Sequence, residues 1–270
     1  MGGMTDAHLT DGWEPDLDPG DSLLRRFVLA NADRNAFVAS CSTGRSARWD
    51  DLAVADPVSP VMFDNAAVLL RPPAYIDLAD TMRRLIGFYP AERHFVLLSA
   101  WPTPDLSVTG LELMGHPPLM LRPPGGTPPP LPIGLRIVPV TDRPTLRDFI
   151  RTLTRAYPLP EVSGTVLADT RVLAGPIRLF MGYVGARPVA TSGARLGHGI
   201  VDVEWVSTLP EYRERGIGTA LTWVATLAGP EDPATLITSD EGRSIYAAMG
   251  YIPLMRLTMW HRPPVPSPAA

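Results

Sequence analysis

The 270-residue chain is long enough for two domains of about 130 residues, each able to bury its own core. A net charge of −4 and a pI near 5.7 give no general attraction to nucleic acid or anionic membranes, which leaves small-molecule or peptidic partners. All 24 basic residues are arginine, so a lysine Schiff base and a P-loop lysine are excluded, and the single cysteine, Cys41, excludes an internal disulfide and a cysteine metal cluster.

Residues 1–20 are polar and acidic, with Trp13 as their one anchor, and read as a loosely docked arm rather than a signal peptide. No run approaches the length of a membrane span, so the expectation is a soluble, cytoplasmic protein. Asp21 offers an N-cap to a helix that runs to residue 37, with Leu23, Leu24, Phe27 and Val28 on one apolar stripe, read as core and not as a site. Residues 39–60 read as irregular. A buried strand is predicted over 66–70, closed by Arg71-Pro72-Pro73. An amphipathic helix over 75–88 follows, with Ile76, Met82, Leu85 and Ile86 inward. A strand over 95–100, a short helix over 106–114 and a strand over 119–121 complete this half, an α/β pattern.

Residues 123–132, Pro-Pro-Gly-Gly-Thr-Pro-Pro-Pro-Leu-Pro, cannot join a helix or sheet ladder and read as a semi-rigid linker. They divide the chain into an N-terminal α/β domain (21–122) and a second domain (133–262), with a tail over 263–270. Three strings echo one another across the linker: Phe95–Ser99 and 235–239, Met114-Gly115 and Met249-Gly250, and the Arg-Pro-Pro runs at Arg122 and Arg262. They read as an internal repeat and hence a tandem of two similar folds.

The second half opens with a strand over 135–140 and a helix capped by Thr141 or Asp142, with Pro144 in its first turn. A short helix over 166–173 precedes a hairpin with arms 177–184 and 188–195. Next comes a strand over 200–208, on which Asp202, Glu204, Val206 and Thr208 share one side by alternation. Two acids on a strand otherwise built for burial could serve chemistry or could meet Arg195 or Arg178 at the sheet edge. The turn that follows, Arg213-Glu214-Arg215-Gly216-Ile217-Gly218, opens a helix over 219–227. Amides at a helix start lack intrahelical acceptors and the dipole adds positive charge, so the turn is suited to a phosphate; glycine at 216 and 218 removes the Cβ atoms that would hold it away. After an apolar strand comes Ser239-Asp-Glu-Gly-Arg-Ser-Ile-Tyr246-Ala-Ala-Met-Gly250-Tyr251, about thirty residues downstream, with closing strands over 251–255 and 257–261. The five histidines are scattered singly, and no metal site is expected.

The R-x-x-G-x-G turn and the serine-to-tyrosine motif, in this order, resemble the GNAT superfamily of acyl-CoA-dependent N-acetyltransferases, over Leu135 to Arg262. The resemblance implies a mixed, mostly antiparallel central sheet flanked by helices, with acetyl-CoA as cosubstrate and a small-molecule or peptidic amine as acceptor. It implies that Arg213, Glu214, Arg215, Gly216, Ile217, Gly218, Thr219 and Ala220 surround the pyrophosphate. Backbone groups of Val206, Ser207 and Thr208 would pair with the pantetheine, where relatives splay this strand from its neighbour. Ser239 stands where relatives often carry an asparagine bound to the pantetheine. Tyr246 would be the general acid for the thiolate, and Glu204 or Asp202 the base or the holder of a water. The first half has no R-x-x-G-x-G and no tyrosine in the matching helix, so a structural or substrate-shaping role is expected there. A non-catalytic acyl-CoA-binding scaffold is the alternative, and the oligomeric state is open.

Overall fold

A computed structural model describes residues 22–157, 167 and 169–263. The chain enters it through helix α1 (Leu23–Ser40), whose cap falls on Ser22, one residue beyond Asp21: the Ser22 hydroxyl accepts from the Arg25 amide at 3.3 Å. The stretch expected to be irregular carries β1 (Arg45–Arg48) and β2 (Leu52–Asp56). Strand β1 is a polar edge strand without apolar alternation, which hid it. Strand β3 (Ala66–Leu69), helix α2 (Leu78–Phe88) and strand β4 (Phe95–Ser99) lie where the sequence puts them. The helix expected over 106–114 is replaced by a 3₁₀ turn, Ser107–Thr109, and strand β5 (Glu112–Gly115), followed by β6 (Pro118–Arg122). Leu-Glu-Leu-Met is good helix-forming sequence, and sheet pairing overrides that weak preference.

Beyond the linker come β7 (Leu135–Pro139), α3 (Arg143–Ala156), β8 (Ile177–Val184), β9 (Arg187–Gly197) and β10 (Ile200–Thr208). Asp142 caps α3, accepting from the Thr145 amide at 2.8 Å. The helix expected over 166–173 lies partly outside the described residues, and a 3₁₀ turn, Thr170–Ala174, is formed there. Helix α4 (Ile217–Thr226), strand β11 (Ala234–Ile237), helix α5 (Arg243–Ala248) and strands β12 (Ile252–Arg256) and β13 (Thr258–Arg262) close the chain.

These strands form two mostly antiparallel sheets, ordered β1-β2-β3-β4-β13-β5 and β12-β6-β11-β10-β9-β8-β7. Each sheet borrows one strand from across the linker. Strand β13 lies between β4 and β5, with Trp260 opposite Leu97, and β6 lies between β11 and β12, with Met120 opposite Leu236. The linker therefore divides the sequence but not the sheets, and neither half completes its sheet alone. Each sheet contains one parallel pair, β3 with β4 and β10 with β11, bridged by α2 and α4 respectively. This is a tandem of like sheets, as the repeated strings suggest. Arg122 and Arg262 end the two exchanged strands, whereas Met114-Gly115 ends a strand and Met249-Gly250 follows a helix, so that string is not a structural match.

Helix α1 is packed between the sheets. Phe27, Val28 and Ala30 share a buried cluster with Val68 and Leu98 of the first sheet and Ile200 of the second. Burying a side chain such as Phe27 contributes about 1.5–3 kcal/mol, and several such side chains fix the helix across the seam. On another side of α1, Asp33 holds Arg48 of β1 at 2.7 Å and His198 beside β9 at 2.7 Å. The helix read as core alone thus sets the geometry between the halves.

Candidate active site

The centre of the second sheet is where pairing fails. Strands β10 and β11 are in register only at Val201↔Ala234 and Asp202↔Thr235, although β10 runs on to Thr208. Beyond Asp202 its ladder continues on the β9 side alone, and a gap opens on the other. Within the same segment β10 carries a bulge: Glu204 faces Gly193 and Ser207 faces Thr191, which inserts one extra residue. Trp205 takes up the irregularity with φ of +52°, in the left-handed region. Its ring lies over Gly193, where a Cβ would come within 2.7 Å of it.

This bulge corrects the expected alternation. Asp202 and Glu204 share a face, but past the bulge the faces invert, so Val206 joins Val201 and Val203 in the cluster under α4 instead of standing beside the acids. Ser207 is buried, its hydroxyl 2.7 Å from that of Thr191. The Thr208 carbonyl accepts from Arg213 Nε at 3.2 Å.

The turn after β10 is built on two left-handed residues, Glu214 (φ +61°) and Gly216 (φ +71°), the second being the N-cap of α4. Such a curl turns backbone N–H groups into a concavity that suits an anion, and the first helical amides have no acceptor within the helix. Gly216 and its neighbours from Arg213 are exposed, while Ile217 and Ala220 are buried and anchor the helix start. Gly218 lies close against β10, where a Cβ would stand 3.1 Å from Thr208 Oγ1; Thr219 lies beside it, half-buried. Arg213 also donates to the Ala156 carbonyl at 3.2 Å, so it braces the loop against α3, and Arg215 donates to the Glu211 carbonyl at 3.0 Å. The corresponding start of α2 in the first half is unlike this. Asp77 caps it, accepting from the Asp80 amide at 3.0 Å, and the two carboxylates would repel an anion.

Arg34 of α1 reaches both candidate acids. Its Nη1 stands 3.5 Å from Asp202 Oδ2 and forms an ion pair with Glu204 as well, while Nε and Nη2 donate to Asn35 Oδ1 at 3.3 and 3.2 Å. Asp202 is wholly buried and receives a 3.4 Å hydrogen bond from Thr235. Burial pushes its carboxyl above the usual range, against the pull of Arg34 and Arg195, and burial likewise lowers the Arg34 guanidinium. Glu204 is only half-buried and lines a cavity of about 340 Å³ between the halves. Asn31, Arg34 and Asn35 of α1 form one wall, Leu153 of α3 and Tyr157 just past its end, with Leu167, another. The α1 residues were missed in the sequence. The available signal was their spacing: 31, 34, 35 and 38 continue the stripe begun by Phe27, which places amides and a guanidinium on a buried helix face.

Tyr246 of α5 packs, half-buried, against the cluster that also receives Val206, with the Tyr251 ring 6.0 Å away edge-on. Burial, with a smaller effect from Tyr157, pushes its phenol up to about 12. Tyr246 does not itself line the cavity; Tyr157 does. The Ser239 hydroxyl accepts from the Gly242 amide at 3.2 Å ahead of α5. Among the described residues no group of three or more metal-ligating side chains could hold an ion, and no helix is long and apolar enough to cross a membrane.

No protein-family model matches this sequence, and no curated protein matches it. Solved structures do. A GCN5-related N-acetyltransferase from Kribbella flavida superposes with a TM-score of 0.63 at 22% identity, over 87% of this chain and 94% of that one. One from Sphaerobacter thermophilus gives 0.51 at 16%, over 74% of each chain. A tandem GNAT protein from the clavulanic acid biosynthesis pathway gives 0.50 at 15% identity, over 80% of this chain and 79% of its own. At these identities the likeness shows the fold: a GNAT-like, mixed α+β fold.

Proposed function

We propose that this protein is an N-acetyltransferase that moves an acetyl group from acetyl-CoA to a primary amine. The observation that carries the reading is the junction of three features on β10: the gap toward β11, the left-handed turn opening α4, and the cavity at Glu204. The curled amides from Glu214 to Thr219, between Arg213 and Ala220 whose own amides donate to the Pro210 and Gly216 carbonyls, suit the diphosphate of acetyl-CoA, and the open edge of β10 at Val206–Thr208 suits its pantetheine arm, as an added strand would. Ser239, already engaged with Gly242, would contribute at the near end of α5. Acetyl-CoA supplies an activated thioester carbonyl. The amine nitrogen bonds to that carbon as the carbon–sulfur bond breaks, and Tyr246, protonated at neutral pH, is suited to give its proton to the leaving sulfur. Glu204, at the cavity wall, would accept the proton of the attacking amine directly or through water, with Asp202 beneath it as a buried counterion to Arg34. The first half then serves by shaping the acceptor cavity with α1.

A second reading has a specific observation in its favour. Arg34 engages both acids, which suits a non-catalytic acyl-CoA-binding scaffold with its base neutralised. Thiol release from acetyl-CoA in the presence of a panel of primary amines separates the two. The enzyme reading predicts release that depends on the amine and saturates with it. Cofactor binding with no release for any amine supports the scaffold.

A further inference from the structure

Helix α3 carries a feature that neither the cofactor turn nor the cavity uses. Arginine recurs at every fourth position along it, as Arg143, Arg147, Arg151 and Arg155. At about 1.5 Å of rise per residue, these stand about 6 Å apart in a row about 18 Å long. All four are exposed, on the side of the helix away from the buried Leu146, Phe149 and Leu153. On a chain whose net charge is −4, the row is a local concentration of the opposite sign.

The row works against the helix that bears it. Arginines four residues apart repel, and Arg143 in the first turn opposes the helix dipole. The rest of the protein does not answer the charge. Among the described residues, Arg147 and Arg151 have no ion pair and no side-chain hydrogen bond. The nearby acids are already engaged. Asp148 accepts from the Tyr183 hydroxyl at 2.9 Å, Asp169, which feels Arg143, is held by Arg171 at 3.0 Å, and Glu211 meets Arg187 at 2.8 Å and Arg155 at 3.7 Å.

A second observation gives the row a direction. Leu153 and Thr154 of α3 and Tyr157, just past its end, line the cavity at Glu204. Tyr157 is 44% exposed and Phe63, which also lines it, 48%, so these two mark its mouth. From Tyr157 back to Arg151 and Arg147 is about 9 and 15 Å along the helix. An extended polypeptide covers that span in about three to five residues.

We infer that the acceptor is an acidic polypeptide that docks along α3. This rests on the acetyltransferase reading. The primary amine enters the cavity past Tyr157, and carboxylates about three to five residues away along the chain pair with Arg151 and Arg147 through charge-assisted hydrogen bonds. A nucleic acid also matches a row of arginines, but it brings no primary alkylamine to acetylate, and the net charge of the protein repels a long polyanion. An N-terminus and a lysine side chain supply the same amine chemistry.

Acetyl transfer from acetyl-CoA to short synthetic peptides tests this. One set has a free N-terminus and no lysine, and the other a blocked N-terminus and a single lysine, so the set that is acetylated identifies the source of the amine. In each set the carboxylates stand about three to five residues from the amine, are replaced there by glutamine, or are moved to the far end. The first arrangement is expected to give a kcat/KM about tenfold or more above the other two, an advantage that shrinks as salt is raised from about 0.05 to about 0.5 M. Arg147→Glu combined with Arg151→Glu, both at exposed positions, should abolish that preference and create one for peptides with arginine in place of the carboxylates. Equal kcat/KM for the acidic and glutamine peptides, or an unaltered preference in the folded double variant, would overturn the inference. So would a single-stranded RNA oligomer that binds more tightly than the acidic peptide, by fluorescence anisotropy, through the same two arginines. Acidic-peptide binding that depends on Arg147 and Arg151 without thiol release keeps the surface and removes the enzyme reading. Thiol release with small amines and no preference for the acidic peptide does the reverse.

Discussion

Replacing Arg34 with methionine is expected to destabilise the protein by about 3–5 kcal/mol, read as a lower denaturation midpoint with an unchanged slope. The reason is the burial of its partner. Asp202 has no exposed surface, and its nearest compensating charge is Arg34 Nη1 at 3.5 Å. Truncating the guanidinium leaves a carboxylate in low dielectric with only the more distant Arg195 and one hydroxyl, from Thr235, at 3.4 Å. The residue lost belongs to α1, whereas the charge stranded belongs to β10, so the effect measures coupling between the two halves. Adding Asp202→Asn to Arg34→Met should recover most of the loss, because the neutral amide needs no counterion. A single variant within about 1 kcal/mol of the parent would mean that the pair does not hold the halves together.

Tyr246→Phe is expected to lower kcat by about 10²–10⁴-fold and to leave acetyl-CoA affinity unchanged. The substitution keeps the ring that packs against Tyr251 and removes only the proton donor. The sign of the pH dependence follows from the same burial. An acid works while protonated and fails as the pH rises through its pKa. Because burial pushes this phenol up to about 12, the alkaline limb of kcat should show no loss through about pH 10, where an ordinary phenol titrates. Steady-state rates with saturating amine check both statements. Unchanged turnover in the phenylalanine variant would remove Tyr246 from the chemistry.

What could be read from the sequence and what could not divide along a physical line. The strand–turn–helix at 200–226 was legible because its apolar alternation, its two glycines and its helical stripe are all local signals. The cap of α3 was legible for the same reason as far as a choice between Thr141 and Asp142, of which Asp142 makes it. Strand β1 was not, since an exposed edge strand of arginine, serine and alanine has no buried face to imprint on its pattern. Strand β5 was lost to helix-forming leucine, glutamate and methionine that pair with β13. Exchange of β6 and β13 between the sheets depends on partners more than a hundred residues away along the chain, which no local period encodes. The bulge at Trp205 is similar: one extra residue inverts the faces, and alternation alone placed Val206 and Thr208 with the acids. The polar stripe of α1 was present in the sequence but hidden under its apolar neighbours, so the wall that brings Arg34 and Asn31 to the cavity was read as core.

The central claim is that the turn between Arg213 and Ala220 grips the diphosphate of acetyl-CoA. Titration of acetyl-CoA into the parent protein and into Gly216→Ala, followed by calorimetry, tests it most directly. The parent should bind with measurable heat. The alanine variant should bind about tenfold or more weakly, because a Cβ at φ +71° is disfavoured by about 1–2 kcal/mol and would distort the curl of amides. Equal affinity in the two proteins, or no heat in either, would contradict the account.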